Sequence, residues 1–252
     1  LALFTLSGNA NKSVRVAVNH ALKAGCTTQV YEPPLPAALV DELRAVSDAW
    51  LIGMHGSERR FSFGWFDSTY IRESVVVTLR TEAGVVAFLN IVPEYTRSEV
   101  GIDLMRRRQT IPSGGMEALF VALFQWAKAE GYATVSLGLS ALAGVGERDS
   151  DPAAERALHA IYANVDQFYN FKGLHGFKQK FQPRWSPRYL VFTSYAALPS
   201  VLYALEAASS GSSFVWLALR DWSIRQRRRL HRSKQPGLAP PGDRATVTAH
   251  ED

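Results

Sequence analysis

Helical and strand-like spacings of apolar residues succeed one another along the chain. In 11–25 (NKSVRVAVNHALKAG), Val14, Val18, Ala21 and Leu22 fall on one helical face and Lys12, Arg15, Asn19 and Lys23 on others, with Gly25 as the stop. This predicts a basic amphipathic helix. A strand-like TTQVYEPP follows, and the spacing of Leu39, Leu43, Val46 and Trp50 predicts a second helix over 36–51. Beyond a turn-rich aromatic stretch at 53–70, three β-branched runs at 74–80, 84–92 and 98–105 are separated by the polar breaks TEAG and PEYTR. They predict an antiparallel meander. Residues 114–130 place Met116, Leu119, Phe120, Leu123, Phe124 and Ala127 on one helical face, closed by Gly131, and 132–139 reads as a further strand.

Helices over 153–165 and 166–176 and a strand over 187–194 complete the series. Three strands, a helix, a strand, two helices and a strand form the order expected of an acyl-CoA N-acetyltransferase-like lobe, an α+β fold. The stretch 196–219 is interrupted by Pro199, Glu206 and SSGSS, and reads as an amphipathic helix, a joint and a second short helix. No run of 18 apolar residues occurs, so no segment is expected to span a bilayer by itself. The Pro/Gly-rich 235–252 is expected to be disordered.

Composition narrows the class. With 252 residues, 47% of them apolar and 20% charged, the chain can bury a sizeable core in one large or two small domains. Cys26 is the only cysteine, which excludes a disulfide scaffold. The formal net charge of +5 is localised: 220–234 (RDWSIRQRRRLHRSK) holds seven basic residues and one acid, leaving the rest almost neutral. A polyanion suits that segment, either acidic phospholipid or RNA, and so does a solvated helix end. The chain begins at Leu1 with no signal-peptide pattern and is expected to be a piece of a longer protein.

Three segments carry candidate chemistry. Asp103 and Arg106, in GIDLMRRR, would face opposite sides of a regular strand and converge only if that strand ends or bulges near Leu104. Such a pair can hold a hydroxyl and a phosphate, or can be a surface ion pair. Ser113, Gly114 and Gly115 precede an apolar helix, where free N–H groups favour an anion, although N-capping by Ser113 accounts for them equally well. In 166–192, Phe168, Tyr169, Phe171, Phe177, Phe181, Trp185 and Tyr189 interleave with Lys172, His175, Lys178, Lys180, Arg184 and Arg188. That pattern suits a charged amphipathic substrate, or an aromatic core with cations at its edge. The histidines are scattered, with no HExxH, and no P-loop, GxGxxG or GxSxG occurs, so neither a metal nor a cofactor is expected.

FSFGWFD (61–67), GIDLMRRR (101–108), LFQWAKAEGY (123–132), SLGLSALAGVG (136–146) and above all FYNFKGLHGFKQKFQPRWSPRYLVF (168–192) resemble the C-terminal domain of bacterial phosphatidylglycerol aminoacyltransferases, the multiple peptide resistance factors. The resemblance runs from about residue 4 to about residue 205. It implies a double acetyltransferase-like fold whose first lobe is truncated at its N-terminus. Residues 1–60 would then end lobe one, 61–195 would form lobe two, 196–234 would be C-terminal amphipathic and basic helices, and 235–252 the tail.

The same resemblance implies an enzyme that moves a lysyl or alanyl group from aminoacyl-tRNA to a hydroxyl of phosphatidylglycerol. It would act at the cytoplasmic face of the bacterial membrane, behind an upstream transmembrane region, and lower the membrane's negative charge. By motif matching, Asp103 would orient or deprotonate the hydroxyl, Arg106 would bind the lipid phosphate and Lys178 would meet oxyanion or leaving-group charge. Lys180, Arg184 and Arg188 would contact phosphate, Asn170 a carbonyl, and Ser113, Gly114 and Gly115 substrate. SALAGV carries Ser140-Ala141 where relatives commonly have Ala-Pro. Two alternatives remain open: an enzyme of this fold with another acyl donor or acceptor, and a non-catalytic lipid- or tRNA-binding module.

Overall fold

The computed structural model describes residues 1, 4–53, 58, 64–95, 97–156, 159 and 171–210. Its centre is a five-stranded sheet in sequential order: β1 (Thr27–Tyr31), β2 (Val75–Thr81), β3 (Gly84–Glu94), β4 (Glu99–Arg107) and β5 (Thr134–Ser136). The first four strands are antiparallel to their neighbours, and β5 runs parallel to β4. The crossover between β4 and β5 is α4 (Gly115–Ala129), since a parallel return cannot be made by a tight turn. An antiparallel meander closed by a parallel fifth strand is the core expected of an acetyltransferase-like lobe.

Helices cover both faces of the sheet. On one face α1 (Lys12–Lys23) and α4 lie against Val77, Leu79, Ala87, Leu89, Ile91 and Val100. On the other, α2 (Ala37–Gly53) and α3 (Ser68–Arg72) bury Leu39, Leu43, Val46 and Ile71 against Val76, Phe88 and Leu104. Burial on both sides explains why β3 reads VVAFLNI without polar alternation, and every residue of that run is buried. Asn90 is the one polar side chain in it.

The basic amphipathic helix forms as expected, with Val14 and Ala21 buried, but Leu22 is exposed. Its position lies at the edge of a narrow apolar stripe that needs only one residue per turn to meet α4. The meander lies within a residue or two of its expected limits. The strand expected over 132–139 shortens to Thr134–Ser136, because Gly138 turns away with φ +73°.

The strand expected over 187–194 does not form: these residues join no ladder, and Tyr189 and Val191 are exposed. Pro187 lacks an N–H for pairing, and among the described residues the sheet ends at β5. The expected 166–176 helix appears as α5 (Phe171–Gln179), and α6 (Leu198–Ser210) is the amphipathic helix expected near 196. The rest of the helix expected over 153–165, together with 211–252 and its basic cluster and tail, lies largely or wholly outside the described residues.

The division expected at residue 60 crosses continuous packing. β1 pairs with β2 from Thr27↔Arg80 to Tyr31↔Val76, and α2 packs on β3 and β4, so β1 and α2 belong with the later strands.

Gly114 fixes how α1 meets α4. It is the N-cap of α4, with φ +81°, and a Cβ there would collide with the backbone carbonyl of Ala17 in α1. Gly114→Ala therefore meets both left-handed backbone strain, about 1–2 kcal/mol, and a clash that only movement of a helix relieves. The expected outcome is a lower urea midpoint with an unchanged slope, measured by circular dichroism.

Candidate active site at the β4–β5 divergence

β4 does not run regularly. Leu89 pairs with Met105 and Ile91 with Ile102, so Asn90 alone opposes both Asp103 and Leu104: a β-bulge. The extra residue reverses the alternation of side chains. Val100, Ile102 and Met105 point to the α4 face, while Leu104 packs with the α2 cluster. Asp103 and Arg106 consequently both reach the α2–α3 face, as the contacts of each one demonstrate. The condition read from the sequence, a bulge near Leu104, is met.

Asp103 Oδ2 accepts a 2.9 Å hydrogen bond from the Tyr70 hydroxyl. That hydroxyl accepts in turn from Asn90 Nδ2 at 3.0 Å, and Asn90 Oδ1 accepts from the Leu104 backbone N–H at 2.7 Å. Burial, followed by the hydrogen bond to Asp103 and its negative charge, pushes the Tyr70 phenol up to about 12. It therefore remains a donor at any physiological pH.

Tyr70 is placed by α3, a short helix with strong local support. Asp67 caps it by accepting from the Thr69 and Tyr70 N–H groups, each at 2.9 Å; Arg44 of α2 bonds Ser68; and Ile71 is fully buried. Gly64 lies so close to Asp103 that a Cβ there would overlap the carboxylate. Three residues of FSFGWFD thus have separate tasks: Gly64 leaves room for Asp103, Phe66 packs edge-on against Phe88, and Asp67 starts α3.

Arg106 is buried at 5% exposure. Its Nη2 pairs with Glu58 at 2.8 Å, and its guanidinium lies 4.0 Å from the Trp50 ring centroid. Glu58 also accepts from the Phe66 N–H at 3.3 Å. A planar cation stacked on indole and held by a carboxylate has a fixed orientation, which lysine could not reproduce.

β4 and β5 stay paired only from Glu99↔Thr134 to Gly101↔Ser136, and then diverge. A groove of about 330 Å³ lies there, lined by Gly101, Ile102, Asp103 and Ser136 among others. On its β5 side the chain beyond Ser136 is pinned by Lys178 of α5, whose Nζ donates to the Gly138 carbonyl at 3.3 Å and to the Leu139 carbonyl at 3.0 Å. Burial pushes this ammonium below the usual lysine range. Beside it, Ser140 Oγ lies 3.0 Å from His175 Nδ1, and His175 stacks on Trp185. Asp103 and Lys178 share no hydrogen bond or ion pair; Asp103 lines the groove, whereas Lys178 and Arg106 do not.

The remaining expected site residues distribute differently. Lys180 forms a 2.7 Å ion pair with Glu117 of α4, so this cation already has a carboxylate partner within the fold. Arg184 and Arg188 are exposed on irregular chain, and Asn170 lies outside the described residues. Ser113 does not cap α4, because Gly114 occupies that position. Gly114 packs against α1, and a Cβ on Gly115 would come within 2.6 Å of Leu79, so close packing accounts for both glycines. Phe177 and Phe181 join Phe120 and Phe124 in the α4-side core, as an aromatic core would have them, whereas Trp185 and Tyr189 are exposed. Cys26 is buried, and burial raises its thiol pKa. Among the described residues no three His, Cys, Asp or Glu side chains gather as a metal site.

Sequence reasoning missed Tyr70, Asn90, Glu58, Trp50 and Gly64 as parts of this arrangement. Asn90 had left a signal, since an amide inside an otherwise apolar strand has to find partners for both of its ends.

Comparison with known proteins places the chain in a family. The sequence model for phosphatidylglycerol lysyltransferase C-terminal domains matches residues 1–192. Phosphatidylglycerol lysyltransferase of Bacillus subtilis is 36% identical over 206 residues, covering 81% of this chain and 24% of the relative. That of Staphylococcus xylosus is 32% identical over 199 residues, covering 79% and 23%. The chain thus spans about a quarter of the length of these curated relatives. The structure of L-PGS from Bacillus licheniformis superposes with a TM-score of 0.67 at 35% identity, covering 83% of this chain and 62% of that one. The chain belongs to the phosphatidylglycerol lysyltransferase C-terminal family.

Proposed function

We propose that this chain carries catalytic residues of an enzyme that transfers an aminoacyl group from aminoacyl-tRNA to a hydroxyl of phosphatidylglycerol. The relatives' names make lysine the first amino acid to test. The observation that carries the reading is the bulge at Asp103–Leu104, which gathers a carboxylate and a buried guanidinium on one face beside a groove. The full reading includes a second lobe in the longer protein, a tunnel open to tRNA and lipid, and an attachment to the cytoplasmic face of the membrane. No helix among the described residues is long and apolar enough to cross a bilayer.

The chemistry asked of the site is modest, because the ester on tRNA is already activated. The lipid hydroxyl gives its proton to Asp103 as its oxygen attacks the ester carbonyl. A new carbon–oxygen bond forms and the carbonyl oxygen becomes an oxyanion. When this intermediate collapses, the bond to the tRNA ribose breaks, and the ribose oxygen leaves with the proton that Asp103 returns, which restores the carboxylate. Arg106, its guanidinium held in a fixed orientation by Glu58 and the face of Trp50, holds the lipid phosphate. Lys178 spends two N–H groups on carbonyls, and its third meets the oxyanion or the departing oxygen.

The direct test is incubation of the full-length enzyme with radiolabelled lysyl-tRNA or alanyl-tRNA and phosphatidylglycerol vesicles, followed by lipid extraction. Label in the lipid fraction is expected. Its absence with both donors would defeat the reading. Lys178→Met is expected to reduce transfer by about 100- to 1,000-fold, the usual effect of removing one charge-stabilising donor. Near-normal transfer would remove Lys178 from the site.

Lys178 also carries a stability signature. Its folded pKa lies below 10.5, so the unfolded chain binds more protons in that interval and stability rises with pH up to about 10.5. Lys178→Met is expected to lack this rise and to unfold at or above the wild-type temperature at neutral pH. Calorimetry across an alkaline pH series measures both effects.

A further inference from the structure

The Asp103 carboxylate is aimed by a chain of donors whose direction the backbone dictates. The Leu104 N–H is only a donor, so the Asn90 atom facing it at 2.7 Å must be the amide oxygen. The Asn90 NH₂ then faces Tyr70, and the phenol oxygen is an acceptor on that side. The Tyr70 proton is left for Asp103 Oδ2. Asn90 is completely buried, and burying an amide costs stability unless both of its ends are bonded. Here one end creates the bulge and the other orients the phenol, and each donor in such a series polarises the next.

The carboxylate is confined from a further direction by Gly64. It is nevertheless exposed and lines the groove between β4 and β5. An ordinary surface aspartate needs no such support, because water solvates it in any rotamer. A carboxylate whose Oδ2 is occupied by a fixed phenol presents the remaining acceptor sites in one direction.

We propose that Tyr70 is a positioning residue for aminoacyl transfer: supported by Asn90, it holds the Asp103 carboxylate in the orientation that receives the acceptor hydroxyl. The inference rests on the reading of the preceding subsection and adds to it two residues outside GIDLMRRR and the 168–192 segment. Tyr70 acts through Asp103 and touches no reacting atom. Its loss should therefore slow turnover without weakening the capture of either substrate.

Tyr70→Phe in the full-length enzyme removes one oxygen and keeps the ring that packs beside Asp103. Transfer from radiolabelled lysyl- or alanyl-tRNA to phosphatidylglycerol vesicles is expected to show kcat lowered by about 10- to 100-fold, the effect of a misplaced catalytic group. Both KM values should stay within about twofold, and the kcat loss should persist well below the thermal midpoint, which falls modestly because the Asn90 NH₂ loses its partner; a merely structural hydroxyl would not produce that separation. Asn90→Asp is the second variant. It preserves an acceptor for the Leu104 N–H but presents oxygen where NH₂ faced Tyr70, drawing the phenol proton away from Asp103, so kcat should again fall.

A Tyr70→Phe enzyme with wild-type kcat overturns the inference, as does a loss that appears in KM or vanishes when transfer is measured well below the thermal midpoint. An inert wild type instead overturns the proposed function, and this inference with it. The two failures are therefore distinct.

Discussion

One buried amide governs the functional face of this protein. Asn90 sits in the middle strand of the sheet, where both faces are covered by helices, and its side chain accepts the Leu104 N–H that regular pairing would leave to a strand carbonyl. Two residues of β4 therefore oppose one of β3, and the side chains beyond the bulge exchange faces. Without that exchange Asp103 and Met105 would share one face, with Leu104 and Arg106 on the other. The bulge sends Met105 to the α4 core and brings Asp103 and Arg106 to the α2–α3 side.

The surrounding parts hold that arrangement in place. Leu43, Val46, Ile71 and Phe88 form a core beneath α2 and α3, so the helices bearing Trp50 and Tyr70 cannot drift from the sheet. On the opposite face Phe120, Phe124, Phe177 and Phe181 pack ring against ring and seat α5, which carries Lys178. Side chains on helices locked by packing hold their geometry more closely than side chains on loops. The groove lies where pairing between β4 and β5 stops, bordered by Asp103 and followed on the other strand by the Gly138–Leu139 turn that Lys178 secures.

Charge at the site is managed by pairing or by burial. Arg106 has Glu58 and the face of Trp50; Lys180, more exposed, is tied to Glu117; Lys178 bonds two backbone carbonyls, and burial lowers its affinity for its proton. This difference separates two lysines that stand two positions apart in FKQKF and look equivalent in sequence. An ammonium solvated by carbonyls, with no carboxylate partner among the described residues, suits a developing negative charge. An ammonium already paired with a carboxylate serves mainly to attach α5 to α4.

Much of the fold was legible in the residues alone. The 3.6-residue spacing of Val14, Val18 and Ala21, the β-branched runs around TEAG and PEYTR, and the glycines at 25 and 131 mark α1, the meander and the helix ends, because local backbone preference and burial agree there. The motif GIDLMRRR also named the two residues that the bulge brings to one face of the sheet. The fate of 187–194 was not legible, since a strand requires a neighbour and Pro187 withholds a donor. Nor was the division of labour between Lys178 and Lys180, or the recruitment of Tyr70, Asn90 and Gly64 around Asp103. Sequence determined α1, α2, α4, the meander and which side chains carry charge, because local preference and burial agree there. Tertiary structure alone decided which charges meet, because a single bulge reverses the face of every residue beyond it and no local pattern records which carbonyl or carboxylate a cation will find across the sheet.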